Sequence, residues 1–293
     1  MSGQPTVLFC VGATKAGTSW LYRYLSGHPD CHLRSIKELH YFDAIETGTL
    51  RSQKVRMEGD LLRARARQAE SGSGPLIDAV IKDMADWIAV LGQGHRAIGA
   101  YLGYLANGAG AKRLVADITP SYALLPEGRL RMMAGIVPDV RFLYLLRDPV
   151  ARLWSGARMV GRRQALEPDQ VPARSIAAME QMISGIEAGG ADREDYAGAI
   201  TRLQGAVPPQ RLMIQLMDDL FTVSGLARLC RFLGIANFPG DFDTRHHEGP
   251  TLALPEDLRL RAQRALRPQY DFVARLFPDL PDSWRRNMTE VHG

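Results

Sequence analysis

Cysteine and histidine are both scarce in this 293-residue chain, which has 3 of the first and 7 of the second. The odd trio Cys10, Cys31 and Cys230 has no CxxC spacing, which argues against a disulfide scaffold and against a zinc site. Cys10 lies in an apolar run and Cys230 on an apolar helical face, where a thiol acts as a small buried hydrophobe. No apolar run approaches the length of a membrane span. Residues Met1 to Thr6 are too few and too polar for a secretory signal, so the expected location is cytoplasmic. Blocks of like charge are also missing. The net charge is only +4 and the basic residues are scattered, so an anionic ligand suits the chain but nucleic acid is not required.

What is present is an ordinary globular balance, 46% hydrophobic and 23% charged, enough for one large α/β domain. Val7-Leu8-Phe9-Cys10-Val11 is a continuous apolar run ending at Gly12, the pattern of a strand buried on both faces. Leu114 to Ala116, Val140 to Leu146 and Leu212 to Met217 read as further core strands, each followed by a helical pattern. Alternation of strand and helix predicts a P-loop-like parallel β-sheet with helices on both faces. Thr18 to Leu25 reads as a helix, and Ile77, Val80, Ile81, Met84, Ile88 and Leu91 mark another. Residues 45–75 are charged and glycine-serine rich at their end, and read as a flexible connection. The expected organisation is a single domain over 1–293. It carries a helical insertion at 45–111 and C-terminal helices at 250–293, one around Leu258 to Leu266 and one around Tyr270 to Phe277. Ser224 is the expected N-cap of the helix ending at Gly234.

Gly12-Ala13-Thr14-Lys15-Ala16-Gly17-Thr18-Ser19 joins the first strand to a helix. Backbone N–H groups at that helix start, aided by the helix dipole, can converge on an anion. Lys15 adds a full charge, and Thr18 and Ser19 add hydroxyls. The loop is not the ATP-binding GxxxxGK[ST]: position 18 is Thr where that motif needs Lys, and the lysine stands earlier, at Lys15. Downstream, Arg147-Asp148-Pro149 closes another core strand, with Asp148 placed to cap a helix and Pro149 at its first position. Ser155 returns to the same helix face roughly 10 Å along the axis. Arg147 and Ser155 can thus address one phosphate, Arg147 through its planar donor fork. An ion pair with Asp148 is the competing role for Arg147.

Together these elements resemble the PAPS-dependent sulfotransferase family, nearest its carbohydrate-type and bacterial members. The family's GxxKxGT[ST]xL is Gly12 to Leu21, and its RDPxxRxxS is Arg147 to Ser155. Between them stand His28-Pro29, Lys37-Glu38-Leu39-His40-Tyr41-Phe42 for KExxxF, and Thr119-Pro120-Ser121-Tyr122 for TPxY. Asp218-Asp219-Leu220 and the helix to Phe232-Leu233-Gly234 are also similar.

The resemblance implies binding of 3′-phosphoadenosine-5′-phosphosulfate (PAPS) as co-substrate and direct in-line transfer of its sulfuryl group to a hydroxyl of a sugar, lipid or small molecule. Lys15, Ala16, Gly17, Thr18 and Ser19 would hold the 5′-phosphosulfate, and Arg147 and Ser155 the 3′-phosphate. A late loop closes over the nucleotide in this family, for which Arg245, His247 and Gly249 are the best-placed candidates. No metal is needed in principle. Glu38 is the favoured general base, with a pKa expected to rise on burial, and His40 is its rival. Lys37 is expected to diverge from Glu38. Glucosaminyl members carry a lysine before the TPxY threonine; here it is Ile118, which puts a heavily anionic acceptor in doubt. Asp117, before it, is either a ligand-orienting group or a satisfied acid at a strand end. The acceptor cleft is expected between the insertion at 45–111 and the stretch 156–200. The competing readings are a P-loop kinase or NTPase, and a non-catalytic nucleotide-binding protein.

Overall fold

The computed structural model describes residues 4–190, 192–242 and 252–289. The first apolar run forms β1 (Thr6–Gly12), buried along nearly its whole length. A short loop leads into α1 (Thr18–Gly27), which turns Leu21, Tyr24 and Leu25 to the core as their spacing predicts. A two-residue strand follows, β2 (Cys31–His32), too short to leave a hydrophobic pattern in the sequence. Next come α2 (Tyr41–Glu46), α3 (Leu50–Ser71), α4 (Pro75–Gly92) and α5 (Ile98–Ala106).

The expected flexible connection over 45–75 is therefore corrected, since most of it is α3. That helix buries only Met57 and Ala64. Its leucines, arginines, glutamines and alanines favour helix intrinsically, and packing against α4 supplies the rest. Only the Gly72–Gly74 turn between the two helices matches the expectation.

The chain continues through β3 (Leu114–Ile118), a 3₁₀ turn at Pro120–Leu124, α6 (Glu127–Ala134) and β4 (Val140–Leu146). Then come α7 (Pro149–Gln164), α8 (Val171–Glu187), α9 (Tyr196–Ala206), β5 (Leu212–Leu216), α10 (Met217–Leu220) and α11 (Val223–Leu233). Asp148 caps α7 by accepting from the Ala151 amide at 2.8 Å, with Pro149 in the first turn. The cap of α11 is Thr222, whose hydroxyl accepts from the Gly225 amide at 3.0 Å; Ser224, the expected cap, lies inside the helix. The two expected C-terminal helices are one, α12 (Glu256–Leu276), which runs on through Pro268. Leu266 and Tyr270 are both buried and anchor it on either side of the proline. A short α13 (Asp282–Thr289) follows.

Among the described residues the sheet has five strands, all parallel, in the order β2-β3-β1-β4-β5, and helices flank it. The order reverses at β1. Ligands of open α/β sheets bind beyond the carboxyl ends of the strands at such a reversal. The glycine-containing loop after β1, Thr119 after β3 and Arg147 after β4 all sit at those ends. Beneath them Phe9 meets Phe142 at 5.3 Å and Phe42 at 5.8 Å, and Phe42 meets Tyr122 at 5.6 Å, an aromatic base that ties the two halves of the sheet to α2. Among the described residues no helix is long and apolar enough to cross a membrane.

Candidate active site

Two glycines shape the loop after β1. A Cβ at Gly12 would lie 2.5 Å from Tyr144 Cε2 on β4. Gly17 has a φ of 89° and backs onto Met217 Cγ, 3.1 Å from where its Cβ would stand. Neither position accepts a side chain without displacement or strain. Gly17 is also the N-cap of α1, and among the described residues no side chain caps that helix. The Thr18 and Ser19 amides thus stand at an uncapped, partially positive helix end. The Ala16 amide is committed within the loop, donating to the Ala13 carbonyl at 3.1 Å.

Arg147 reaches back from β4 to this loop, its Nη1 donating to the Lys15 carbonyl at 3.1 Å. Burial, reinforced by Arg162, Arg147, Arg158 and Lys37, pushes the Lys15 ammonium below its ordinary value. Burial likewise lowers Arg147, with Arg158 adding to it. Arg158 and Arg162 are not part of the motifs read from the sequence. They were findable, because both share a face of α7 with Ser155, at the i+3 and i+7 positions. Among the described residues, none of Lys15, Arg147, Arg158 and Arg162 has a carboxylate within ion-pair distance. Asp148 is not the partner of Arg147: it accepts instead from Ala151, from the Tyr270 hydroxyl at 2.7 Å and from Asn287 at 3.0 Å. Tyr196 is a packed tyrosine whose hydroxyl donates to the Arg147 carbonyl at 2.7 Å and fixes the strand end. Arg152, inside the same motif, is buried with its guanidinium 4.8 Å from the Tyr196 ring centre.

On the other side of the loop, Lys37 and Glu38 do not diverge. Lys37 Nζ bonds Glu38 Oε1 at 2.7 Å and also reaches Thr18 Oγ1 at 3.3 Å. His40 stands between two carboxylates, with Nε2 3.5 Å from Glu38 Oε2 and Nδ1 2.7 Å from Asp43 Oδ2. Ser121 donates to the same Asp43 oxygen at 2.6 Å. Burial alone would raise Glu38, but the His40 hydrogen bond and the adjacent Lys37 charge outweigh it and hold the carboxyl at about 2. The expected rise is thereby corrected. Burial alone would lower His40, but its bonds to Asp43 and Glu38 win and lift it to about 9. At neutral pH Glu38 is ionised and His40 carries a proton. Asp43 and Ser121 complete a chain of polar contacts that the sequence motifs do not announce.

His40 has a φ of 53°, a left-handed conformation uncommon for a residue with a Cβ. Its flanking amides are pinned: Leu39 N–H donates to Thr119 Oγ1 at 3.0 Å and Tyr41 N–H to the Tyr122 hydroxyl at 3.0 Å. Both hydroxyls in turn donate to Asp117, at 2.6 and 2.9 Å, and the Tyr101 hydroxyl adds a third bond at 2.7 Å. Burial lifts Asp117 to about 6 against the pull of these three donors. Of the two roles open to it in the sequence, Asp117 is the satisfied acid, and through Thr119 and Tyr122 it positions the backbone on both sides of His40. Asp117→Ala leaves three buried hydroxyls without their acceptor, at about 1–3 kcal/mol each. Urea denaturation should show a loss of about 3 kcal/mol or more, and an unchanged midpoint would contradict this role.

The titration shifts predict a pH dependence. His40 is raised from 6.5 to about 9, so its contribution to stability is complete below pH 6.5 and is lost as pH rises through about 9. Glu38 is lowered from 4.5 to about 2, so its contribution is complete above pH 4.5 and is lost as pH falls toward 2. The stability gap between the wild type and His40→Gln should be widest at about pH 5–6.5 and shrink by about pH 10. A gap that grows with pH would contradict the imidazolium assignment.

The sheet ends thus bring together Lys15, Gly17, Thr18, Ser19, Arg147 and the Glu38–His40 pair, with Ser155 on the face of α7 that carries Arg158 and Arg162. Arg245, His247 and Gly249 lie outside the described residues. Among the described residues no group of three His, Cys, Asp or Glu is placed to hold a metal ion.

A search of curated proteins returns no match. Among solved structures, a sulfotransferase from Alicyclobacillus acidocaldarius is similar with a TM-score of 0.57 and 20% identity, over 97% of this chain and 100% of that one. The sulfotransferase domain of the Synechococcus PCC 7002 olefin synthase aligns with a TM-score of 0.50 and 19% identity, over 95% of this chain and 97% of that one. Likeness at this identity speaks for the fold alone. The profile of the Sulfotransferase family matches residues 5–239. That match takes in the loop after β1, the 37–43 segment and the Arg147 strand end, and the chain belongs to the sulfotransferase family.

Proposed function

We propose that the protein transfers a sulfuryl group from PAPS to a hydroxyl of a sugar, lipid or small-molecule acceptor by in-line displacement. One observation carries this reading: Lys15, Arg147, Arg158 and Arg162 gather without a carboxylate partner among the described residues, beside an uncapped helix N-terminus. Such a cluster suits a ligand with more than one anionic group. PAPS carries two such groups, a 5′-phosphosulfate and a 3′-phosphate. Lys15, with the Thr18 and Ser19 amides and hydroxyls, takes the 5′-phosphosulfate, and Arg147 with Ser155 and Arg158 takes the 3′-phosphate.

The acceptor oxygen forms a bond to sulfur while the bond from sulfur to the bridging oxygen breaks, and 3′,5′-adenosine diphosphate leaves. Lys15 and the amides at the start of α1 stabilise the charge that grows on the bridging oxygen. The acceptor proton passes to Glu38, which is ionised at neutral pH, whereas protonated His40 has no free lone pair for it. His40 instead holds the Glu38 carboxylate in place. Lys37, which spans Thr18 and Glu38, is placed to shift toward the anionic donor. That shift removes one of the two charges that depress Glu38 and makes it a better base when the donor is bound. The three cysteines are free and buried, in keeping with the cytoplasmic location we assign.

The test is incubation with sulfur-35-labelled PAPS and a broad panel of hydroxyl acceptors. Transfer of label with equal release of 3′,5′-adenosine diphosphate is expected. Tight PAPS binding with no release across the panel would favour a non-catalytic nucleotide-binding protein.

A further inference from the structure

A cleft of about 360 Å³ opens directly beside Ser19, Lys37 and Glu38. Its size lies at the lower end of the roughly 300–1,000 Å³ typical of small-molecule sites. Its far walls come from the α3–α4 hairpin and the segment before Lys37: Ile36, Met57, Val80 and Met84. The lining surface is predominantly apolar.

This explains a mismatch in α4. The sequence spacing turns Ile77, Val80, Ile81, Met84, Ile88 and Leu91 toward a core, yet only Leu91 of these is fully buried. Trp87 and Val90 make the deep contacts instead, and Val80 and Met84 are left half-covered on the cleft wall. An amphipathic helix with its apolar stripe only partly covered beside a catalytic carboxylate has apolar surface available for a ligand.

Charge points the same way. The cations that collect on the donor side, Lys15, Arg147, Arg158 and Arg162, do not line the cleft. Lys37 is paired with Glu38, and the rim adds one charge of each sign, Arg56 and Asp60. A polyanionic acceptor finds no net counter-charge among these residues, and although Ser19, Ser35, Lys37, Glu38, Arg56 and Asp60 are polar, the apolar side chains supply the larger part of the surface.

Resting on the sulfotransferase reading above, we propose that the acceptor is an alcohol with an aliphatic body. Its hydroxyl is presented to Glu38 and Ser19, and its carbon chain lies against Ile36, Met57, Val80 and Met84. The reaction forms the alkyl sulfate, the hydroxyl proton going to Glu38.

The experiment measures kcat/KM with PAPS for straight-chain primary alcohols from butanol to decanol, with N-acetylglucosamine as the polar comparison. In parallel, calorimetry measures the affinity for 3′,5′-adenosine diphosphate. Each added methylene should raise kcat/KM about three- to fourfold until the cleft is filled. Val80→Asp should lower kcat/KM for decanol by about tenfold or more with nucleotide affinity unchanged, and Val80→Thr should lower it less. A flat alcohol series, or faster turnover of N-acetylglucosamine, overturns the aliphatic acceptor while leaving the donor reading intact if the bisphosphate still binds. Sedimentation showing a dimer that Val80→Asp dissociates also overturns it, since a second copy then covers this face. Failure of the wild type to bind the bisphosphate removes the donor reading, and this proposal with it.

Discussion

Arg147→Ala is expected to weaken binding of 3′,5′-adenosine diphosphate by about 100-fold or more. Each charge-assisted hydrogen bond contributes about 1.5–3 kcal/mol, and a guanidinium facing a phosphate can make two. Arg147 stands where the strand end meets the loop after β1, with one donor already on the Lys15 carbonyl and no carboxylate partner among the described residues. Its removal takes away charge and also loosens the loop that carries Lys15. Arg147→Lys separates the two effects: it restores charge without the planar fork, so its affinity should fall between the wild type and alanine. Calorimetry reads the affinities and thermal unfolding checks that each variant folds. Full affinity in Arg147→Ala would remove this arginine from the donor site.

The second large effect is expected at Glu38. Glu38→Gln should keep nucleotide affinity and lose about 10²–10⁴ in kcat, the range for removing a general base. The amide keeps the shape and can still meet His40, but it takes no proton. The pH profile of kcat/KM sharpens the test. With Glu38 held at about 2 and His40 at about 9, the rate should be nearly flat from about pH 5 to 8 and decline as His40 loses its proton. Were neutral His40 the base, the rate would climb through the His40 titration instead. A Glu38→Gln enzyme with full rate, together with an inactive His40→Ala, would reverse the assignment.

The parts of this site that were legible in the sequence are those where one strand delivers one motif. β1, β3, β4 and β5 are apolar runs long enough to recognise, and the residues just past β1 and β4 inherit their place from them. The places of Lys15 and Arg147 at the sheet ends follow from that. Strand β2 has two residues and no pattern to detect. Helix α3 is strongly polar and draws its stability from intrinsic preference and its partner α4, so hydrophobic periodicity understates it. Proline inside α12 suggests a boundary that burial of Leu266 and Tyr270 overrides.

In the site, the side-chain contacts were the hidden part. Asp43 meets His40 across one turn at the start of α2, and Ser121 joins them only because the turn after β3 packs on α2. The depressed Glu38 is likewise a property of contact geometry. Its neighbours Lys37 and His40 are adjacent in sequence, but their direction is set by the pinned Leu39 and Tyr41 amides.

The account rests on a donor site for a 3′-phosphorylated adenine nucleotide. Its most direct test is calorimetric titration of the purified protein with 3′,5′-adenosine diphosphate, with ATP and Mg²⁺ as the comparison. The account predicts tight binding of the bisphosphate and weak binding of ATP. Tight binding of ATP with weak binding of the bisphosphate would contradict it and point to phosphoryl transfer on the same fold.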